Sequence, residues 1–188
     1  MRRKDWVTFL AFVVVMLAAR SALADHYVVP SDSMNPSVLA GDRIVAFKAA
    51  YGLRVPWTEL WMTGPALPER GDVVVLSSPE SGEVLLKRVV AIAGDEVAVR
   101  DGKLWLDGRA VPVEAGVEQL GDPHPLRLGG GGPPFGPTKV PAGHVLVMGD
   151  NRGNSHDGRA FGFVRVETLL GRALAVYLRD GSLRWREL

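Results

Sequence analysis

Val84-Leu85-Leu86-Lys87-Arg88-Val89-Val90-Ala91-Ile92, followed by Gly94-Asp95, Val97-Ala98-Val99, Asp101-Gly102, Leu104-Trp105-Leu106 and Asp107-Gly108, is the stretch that decides the fold. Its apolar runs are short and rich in β-branched residues, and a Gly-Asp or Asp-Gly pair follows each, the pattern of strands joined by tight turns. Arg100-Asp101-Gly102-Lys103 and Leu106-Asp107-Gly108-Arg109 read as successive hairpin turns, because aspartate and glycine tolerate the positive φ of a two-residue turn. The same pattern extends outward. Ile44–Phe47, Val73–Leu76, His144–Met148 and Leu174–Leu178 are further runs, and Gly41-Asp42, Gly71-Asp72, Gly149-Asp150 and Asp180-Gly181 punctuate them. With no capped amphipathic run of helical period, the chain reads as an antiparallel all-β domain.

Composition sets the outer bounds. The 188 residues suit one domain, and 22 Lys+Arg against 21 Asp+Glu give a net charge of +1, which argues against nucleic acid as a partner. A hydrophobic fraction of 47% with 23% charged residues is enough to build a core. The absence of cysteine excludes disulfides, a thiolate nucleophile and zinc-thiolate or iron–sulfur sites. No paired-His spacing points to a metal.

The N-terminus is membrane-directed. Met1-Arg2-Arg3-Lys4 precedes an uncharged run from Trp6 to Ala19, and Arg20 is followed by Ser21-Ala22-Leu23-Ala24. A helix over residues 6–23 would be roughly 27 Å long, close to the ~30 Å hydrocarbon core if Arg20 snorkels. The basic tip keeps residues 1–4 in the cytoplasm and sends the remainder outward. A cleavable secretory signal ending at Ala24 describes the same residues and exports the same remainder.

Three polar segments stand out from the β-pattern: Pro30 to Pro36 with Ser31 and Ser33, the lysine inside Leu85–Val90, and Gly149 to Arg159 with Ser155, Asp157 and Arg159. Each has a bland explanation alone: a hydroxyl-backbone turn, an edge-strand charge, a self-paired polar loop. Together they suggest chemistry. Alternation puts Lys87 on the face of Leu85, Val89 and Ala91, and desolvation there lowers a lysine pKa toward that of a usable base. A serine beside such a lysine becomes a nucleophile without histidine. Among His26, His124, His144 and His156, only His156 sits in a polar loop suited to a Ser-His-Asp triad, and the adjacent Asp157 is poorly placed to orient it. The segment 111–141, with Gly129-Gly130-Gly131-Gly132-Pro133-Pro134, reads as a loop-rich surface excursion and not as a phosphate loop, since no Lys-Ser/Thr follows the glycines.

In these segments the chain resembles bacterial type I signal peptidases, membrane-bound Ser/Lys endopeptidases. Pro30-Ser31-Asp32-Ser33-Met34-Asn35-Pro36-Ser37 resembles the family's S-x-S-M-x-P-T segment, and Arg70-Gly71-Asp72-Val73-Val74-Val75 its RGD-V-V strand. Leu86-Lys87-Arg88-Val89-Val90 with Gly94-Asp95 resembles its lysine box, and Gly149-Asp150-Asn151-Arg152 through Ser155, Asp157 and Arg159 its G-D-N-R-x-x-S-x-D-S-R box. Tyr51-Gly52-Leu53-Arg54 and Val140-Pro141-Ala142-Gly143-His144 are similar to the proteobacterial branch. The likeness covers about residues 20–107 and 140–178. Gly158, Ser37 and Asp32 depart from the serine, threonine and glycine common at those places.

The resemblance implies coiled antiparallel sheets behind one N-terminal transmembrane helix, with Ser33 as nucleophile and Lys87 as general base. It implies Ser31 and the Ser33 N–H for the oxyanion hole, Ser155 to orient the lysine, and an Asp157–Arg159 ion pair to support the loop. No cofactor is implied. The substrates would be preprotein signal peptides with small residues one and three positions before the cleaved bond. Residues 1–25 would be cytoplasmic tip and anchor in the cytoplasmic membrane, and 26–188 the extracytoplasmic peptidase domain. Ser33 follows Asp25 by eight positions, at most ~28 Å of extended chain, which would keep the site near the lipid surface. Trp57 and Trp61 could dip into that surface or pack on the domain's own core. Alternatives are a Ser/Lys maturation peptidase with a specialised substrate and a catalytically silent secreted β-domain.

Overall fold

The computed structural model describes residues 5–10, 12–13, 23–52 and 66–188 of the chain. Fifteen strands are present among them: β1 Ala24–Val28, β2 Arg43–Phe47, β3 Val73–Ser77, β4 Val84–Ile92, β5 Glu96–Arg100, β6 Lys103–Leu106, β7 Arg109–Ala110, β8 Val113–Glu114, β9 Val117–Glu118, β10 His124–Pro125, β11 Phe135–Lys139, β12 His144–Met148, β13 Val164–Arg165, β14 Leu169–Arg179 and β15 Ser182–Glu187. They form an eight-stranded sheet in the order β1-β2-β14-β3-β4-β12-β13 with β15 also on β14, a four-stranded sheet β11-β5-β6-β7, and a three-stranded sheet β10-β9-β8. Every strand pair is antiparallel. The all-β reading therefore holds.

Burial explains which runs are continuous and which alternate. In β3, Val73 and Val75 join one core cluster with Val29, Met34, Ile44 and Val176, while Val74 and Leu76 join another with Val89, Val147 and Leu169 on the opposite face. Both faces are covered, so the run has no polar half. A third cluster, with Ala91, Val97, Val99, Leu104, Leu146 and Met148, seals the large sheet against the four-stranded one.

The hairpin turns take the expected form. Asp101 and Gly102 have φ of 51° and 74°, Asp107 and Gly108 of 50° and 75°, and Asp180 and Gly181 of 51° and 71°, the positive pair whose twist matches the flanking strands. Ala115 and Gly116 make the same turn, at 50° and 78°.

One expectation needs revision. The segment 111–141 is not purely a surface excursion: it contains β8 to β11, pairs β11 with β5, and buries Glu118, Leu120, His124, Leu126 and Val140. Among the described residues, no helix is long and apolar enough to cross a membrane. Residues 5–10 and 12–13 are helical, and β1 begins at Ala24. Most of the expected span, Arg20 included, and Trp57 and Trp61 lie outside the described residues.

Candidate active site

The chain from Ser31 to Pro36 turns because Met34 is pulled into the core. Asp32–Met34 form one 3-10 turn, and Met34 is fully buried, a burial worth about 1.5–3 kcal/mol for such a side chain. That leaves the preceding Ser33 half-buried at the rim and Ser31 exposed. Ser31 Oγ lies 3.4 Å from Ser33 Oγ.

Lys87 projects from β4 to the same point. Its Nζ is hydrogen-bonded to Ser33 Oγ at 2.7 Å, although 54 positions separate the two residues. Only 3% of Lys87 is exposed. Burial lowers its pKa from the ordinary 10.5 to about 8, partly opposed by the negative charges of Asp157 and Asp150 and reinforced by Arg159.

The third polar segment closes the site from behind. Asp157 and Arg159, both buried, pair through Nε–Oδ1 and Nη2–Oδ2 at 2.8 Å each. Burial raises the Asp157 carboxyl, but Arg159 and the Gly149 N–H outweigh it and hold the group below its usual range. Ser155 Oγ is buried, and its hydroxyl is among the groups that lower the Asp157 carboxyl. It sits so close to Gly149 that a Cβ on that glycine would fall onto both this hydroxyl and the Ser33 carbonyl oxygen.

The three polar segments of the sequence thus meet at one place. His156 does not take part in a triad: its Nε2 is bound to Glu80 at 2.7 Å, with both side chains largely exposed. Among the described residues no cluster of His, Asp and Glu is placed to hold a metal ion.

The family model described as signal peptidase, peptidase S26, matches residues 3–178. The chain belongs to this family. The signal peptidase I of Pseudomonas fluorescens is 34% identical over 200 residues, covering 91% of this chain and 70% of that one. A probable signal peptidase I-2 of Synechocystis sp. is 32% identical, with 88% and 68% covered. The thylakoidal processing peptidase 1 of Arabidopsis thaliana is 34% identical over 88% of this chain and 45% of its own.

Three features of this S26 chain around the site escape a reading of single motifs. Arg88, next to Lys87, makes a buried two-pronged pair with Asp150 (2.9 and 2.8 Å) and donates to Gly71 O at 2.7 Å. The lysine box, the G-D-N-R box and the Arg-Gly-Asp turn are therefore tied together by one guanidinium. Asn151 grips the Ser33 turn twice, its backbone N–H donating to Ser33 O at 3.0 Å and its side-chain amide to Asp32 O at 3.1 Å. Arg152 is fully buried against Glu118, a residue no motif marks. An arginine in a polar box signals a partner, but sequence spacing does not say where that partner lies.

Proposed function

We propose that the chain is a serine endopeptidase removing signal peptides from exported preproteins, with Ser33 as nucleophile and Lys87 as general base. The observation that carries this reading is the 2.7 Å contact between Ser33 Oγ and a buried Lys87 whose pKa is lowered to about 8. A substantial share of such a lysine is neutral near pH 8, so its Nζ accepts the Ser33 proton as Oγ attacks the scissile carbonyl. The tetrahedral oxyanion accepts hydrogen bonds from the Ser33 backbone N–H and the Ser31 hydroxyl, donors aimed where charge develops. Lys87 then returns the proton to the leaving amine, and the acyl-enzyme on Ser33 is hydrolysed by water activated in the same way. Ser155, Asp157 and Arg159 hold the loop that backs the lysine.

Substrate binding follows from the sheet. β3 pairs with Val84–Arg88 on one edge of β4, whereas β12 pairs only from Arg88 to Ile92 on the other. Among the described residues no strand occupies the second edge from Val84 to Lys87. An extended peptide added there would place the residues one and three positions before its scissile bond on the same face, where half-buried Leu85, which shares the Lys87 face, favours small side chains. Residues 1–25 serve in this proposal as a cytoplasmic tip and anchor in the cytoplasmic membrane, with 26–188 outside it. Trp6, Val7, Phe9, Leu10 and Phe12 each expose more than half of their surface, which supports a lipid partner. The test is cleavage of a preprotein by the full chain in detergent. Wild type is expected to cut, and Ser33→Ala and Lys87→Met to retain less than about a thousandth of the rate, since the two groups act as a unit. Cleavage by Ser33→Ala, or an inert wild type, would overturn the assignment.

A further inference from the structure

Glu118 belongs to none of the motifs quoted from the sequence, yet its side chain and that of Arg152 are both 0% exposed. The carboxylate and guanidinium meet fork to fork, Nη1 to Oε1 at 3.0 Å and Nη2 to Oε2 at 2.5 Å. Arg152 spends its other bonds on backbone, Nε donating to Gly149 O at 3.1 Å and Nη1 to Gly102 O at 2.8 Å. Arg127 of the same segment 111–141 brackets this turn, its N–H donating to Asp150 O and its carbonyl accepting from Arg152 N. On the other side of the turn, Asn151 holds the carbonyls of Asp32 and Ser33.

We propose that Glu118 is a positioning residue for the reaction: through Arg152 it fixes the Gly149–Asn151 turn against the Ser33 turn, and so sets the nucleophile's distance from Lys87. A buried ion pair gains little stability over an apolar pair of the same volume, so stability alone does not account for this one. Its distinctive property is direction, because a two-pronged pair fixes the plane and angle of the guanidinium, and that plane aims Nε at Gly149 O. His124 braces the far side of the carboxylate, Nε2 lying 3.3 Å from Oε2 and Nδ1 3.1 Å from Asp122 O. The turn has no slack to absorb a shift, since Gly149 leaves no room even for a Cβ beside Ser33 O. The inference rests on the Ser33 and Lys87 reading above.

The test uses the full chain in detergent with a signal-peptide substrate, measuring kcat, KM, the pH dependence of kcat and the thermal transition. In Glu118→Gln, kcat is expected to fall about a hundredfold, the order that a 1 Å misplacement costs. KM should change less than about threefold, because the β4 edge is untouched. The midpoint of the pH–rate limb should move up from about 8, since a displaced Ser33 turn admits water to Lys87 and relieves the burial that lowers it. A merely structural role would lower the thermal transition and leave that midpoint in place. Glu118→Gln with wild-type kcat and midpoint overturns the inference. If that variant does not fold, Glu118→Gln with Arg152→Gln removes both charges and leaves neither unpaired. This double variant is expected to fold with the same loss of kcat, and wild-type kcat, or no folded protein here either, assigns the pair to the fold alone and overturns the inference. Cleavage by Ser33→Ala would sink the dyad instead, which keeps the two failures apart.

Discussion

In the proposed dyad Lys87 carries two opposed demands, since the burial that makes it a usable base also costs the fold. Its pKa falls from 10.5 to about 8 because burial disfavours the ammonium more than Asp157 and Asp150 favour it. At ~1.4 kcal/mol per unit, that shift corresponds to about 3 kcal/mol of destabilisation of the charged form. The sign follows from proton counts. Below pH 8 the lysine is protonated in both folded and unfolded chains and the full penalty applies. Between about 8 and 10.5 the unfolded chain binds more proton, so stability rises with pH. Activity should therefore climb along a limb with its midpoint near 8. Lys87→Met should be inactive yet more stable than wild type by about 1–3 kcal/mol at pH 7, with the advantage shrinking toward pH 10. Urea titrations at the two pH values decide this. A variant less stable than wild type at pH 7 would mean that burial does not strain the lysine.

At the scale of elements, legibility tracked how completely a run is buried. β4 and β12 begin and end where the sequence reading puts them, Val84–Ile92 and His144–Met148, because core lies on both faces of most of their length. β14 was visible only as Leu174–Leu178, although it runs from Leu169 to Arg179. Gly171 and Arg172 interrupt the apolar pattern, and Gly171 is needed because a Cβ there would come within 2.8 Å of Phe47 O. β1 was hidden by Asp25 and His26, β11 by Gly136 and Pro137, and β15 by exposure along its whole length. The turn at Ala115-Gly116 carries no sequence signature, because alanine is not a turn residue. In the site, the segments holding Ser33, Lys87 and Asp157 stood out as polar breaks in an apolar chain, while Glu118 did not, since one glutamate in an irregular stretch carries no periodic signal. Gly158, the departure from the family's box, has a local cause: its Cβ would lie 2.7 Å from Leu146 Cδ1 and 2.8 Å from Val147 O. The second contact is backbone and cannot swing away. Restoring the family's serine with Gly158→Ser should thus cost about 1–3 kcal/mol of stability, read as a lower urea midpoint. An unchanged midpoint would mean that β12 yields to the side chain.

For the whole molecule, long-range carboxylate–arginine pairs tie together parts of the chain that are distant in sequence. Asp42–Arg179 ties the loop before β2 to the end of β14, Arg70–Asp95 joins the chain before β3 to the β4–β5 turn, and Glu118–Arg152 joins segment 111–141 to the Gly149–Asn151 turn. Burial pushes each of these carboxyls upward, and each ends below its ordinary value because its arginine and neighbouring donors outweigh burial. A carboxyl depressed in the folded state binds less proton there than when unfolded. Its stabilisation is fully present above the unfolded value of about 4 and is lost as pH falls through the lower folded value. Stability should thus be nearly level from pH 5 to 8 and fall steeply below about 4, with several pairs failing together. Asp42 gives the clearest test, being 1% exposed, with Arg179 and the Leu39 N–H as donors. Asp42→Asn keeps the shape and removes the charge, so at pH 6 it should be destabilised by about 1–3 kcal/mol, the range for losing a charge-assisted hydrogen bond at a partly solvated pair. That gap should narrow as pH falls below about 4, where the unfolded carboxyl takes up its proton and the wild type loses the stabilisation its charge supplies. A gap between variant and wild type that stays constant from pH 6 to 2 would show that Asp42 contributes by shape and not by charge.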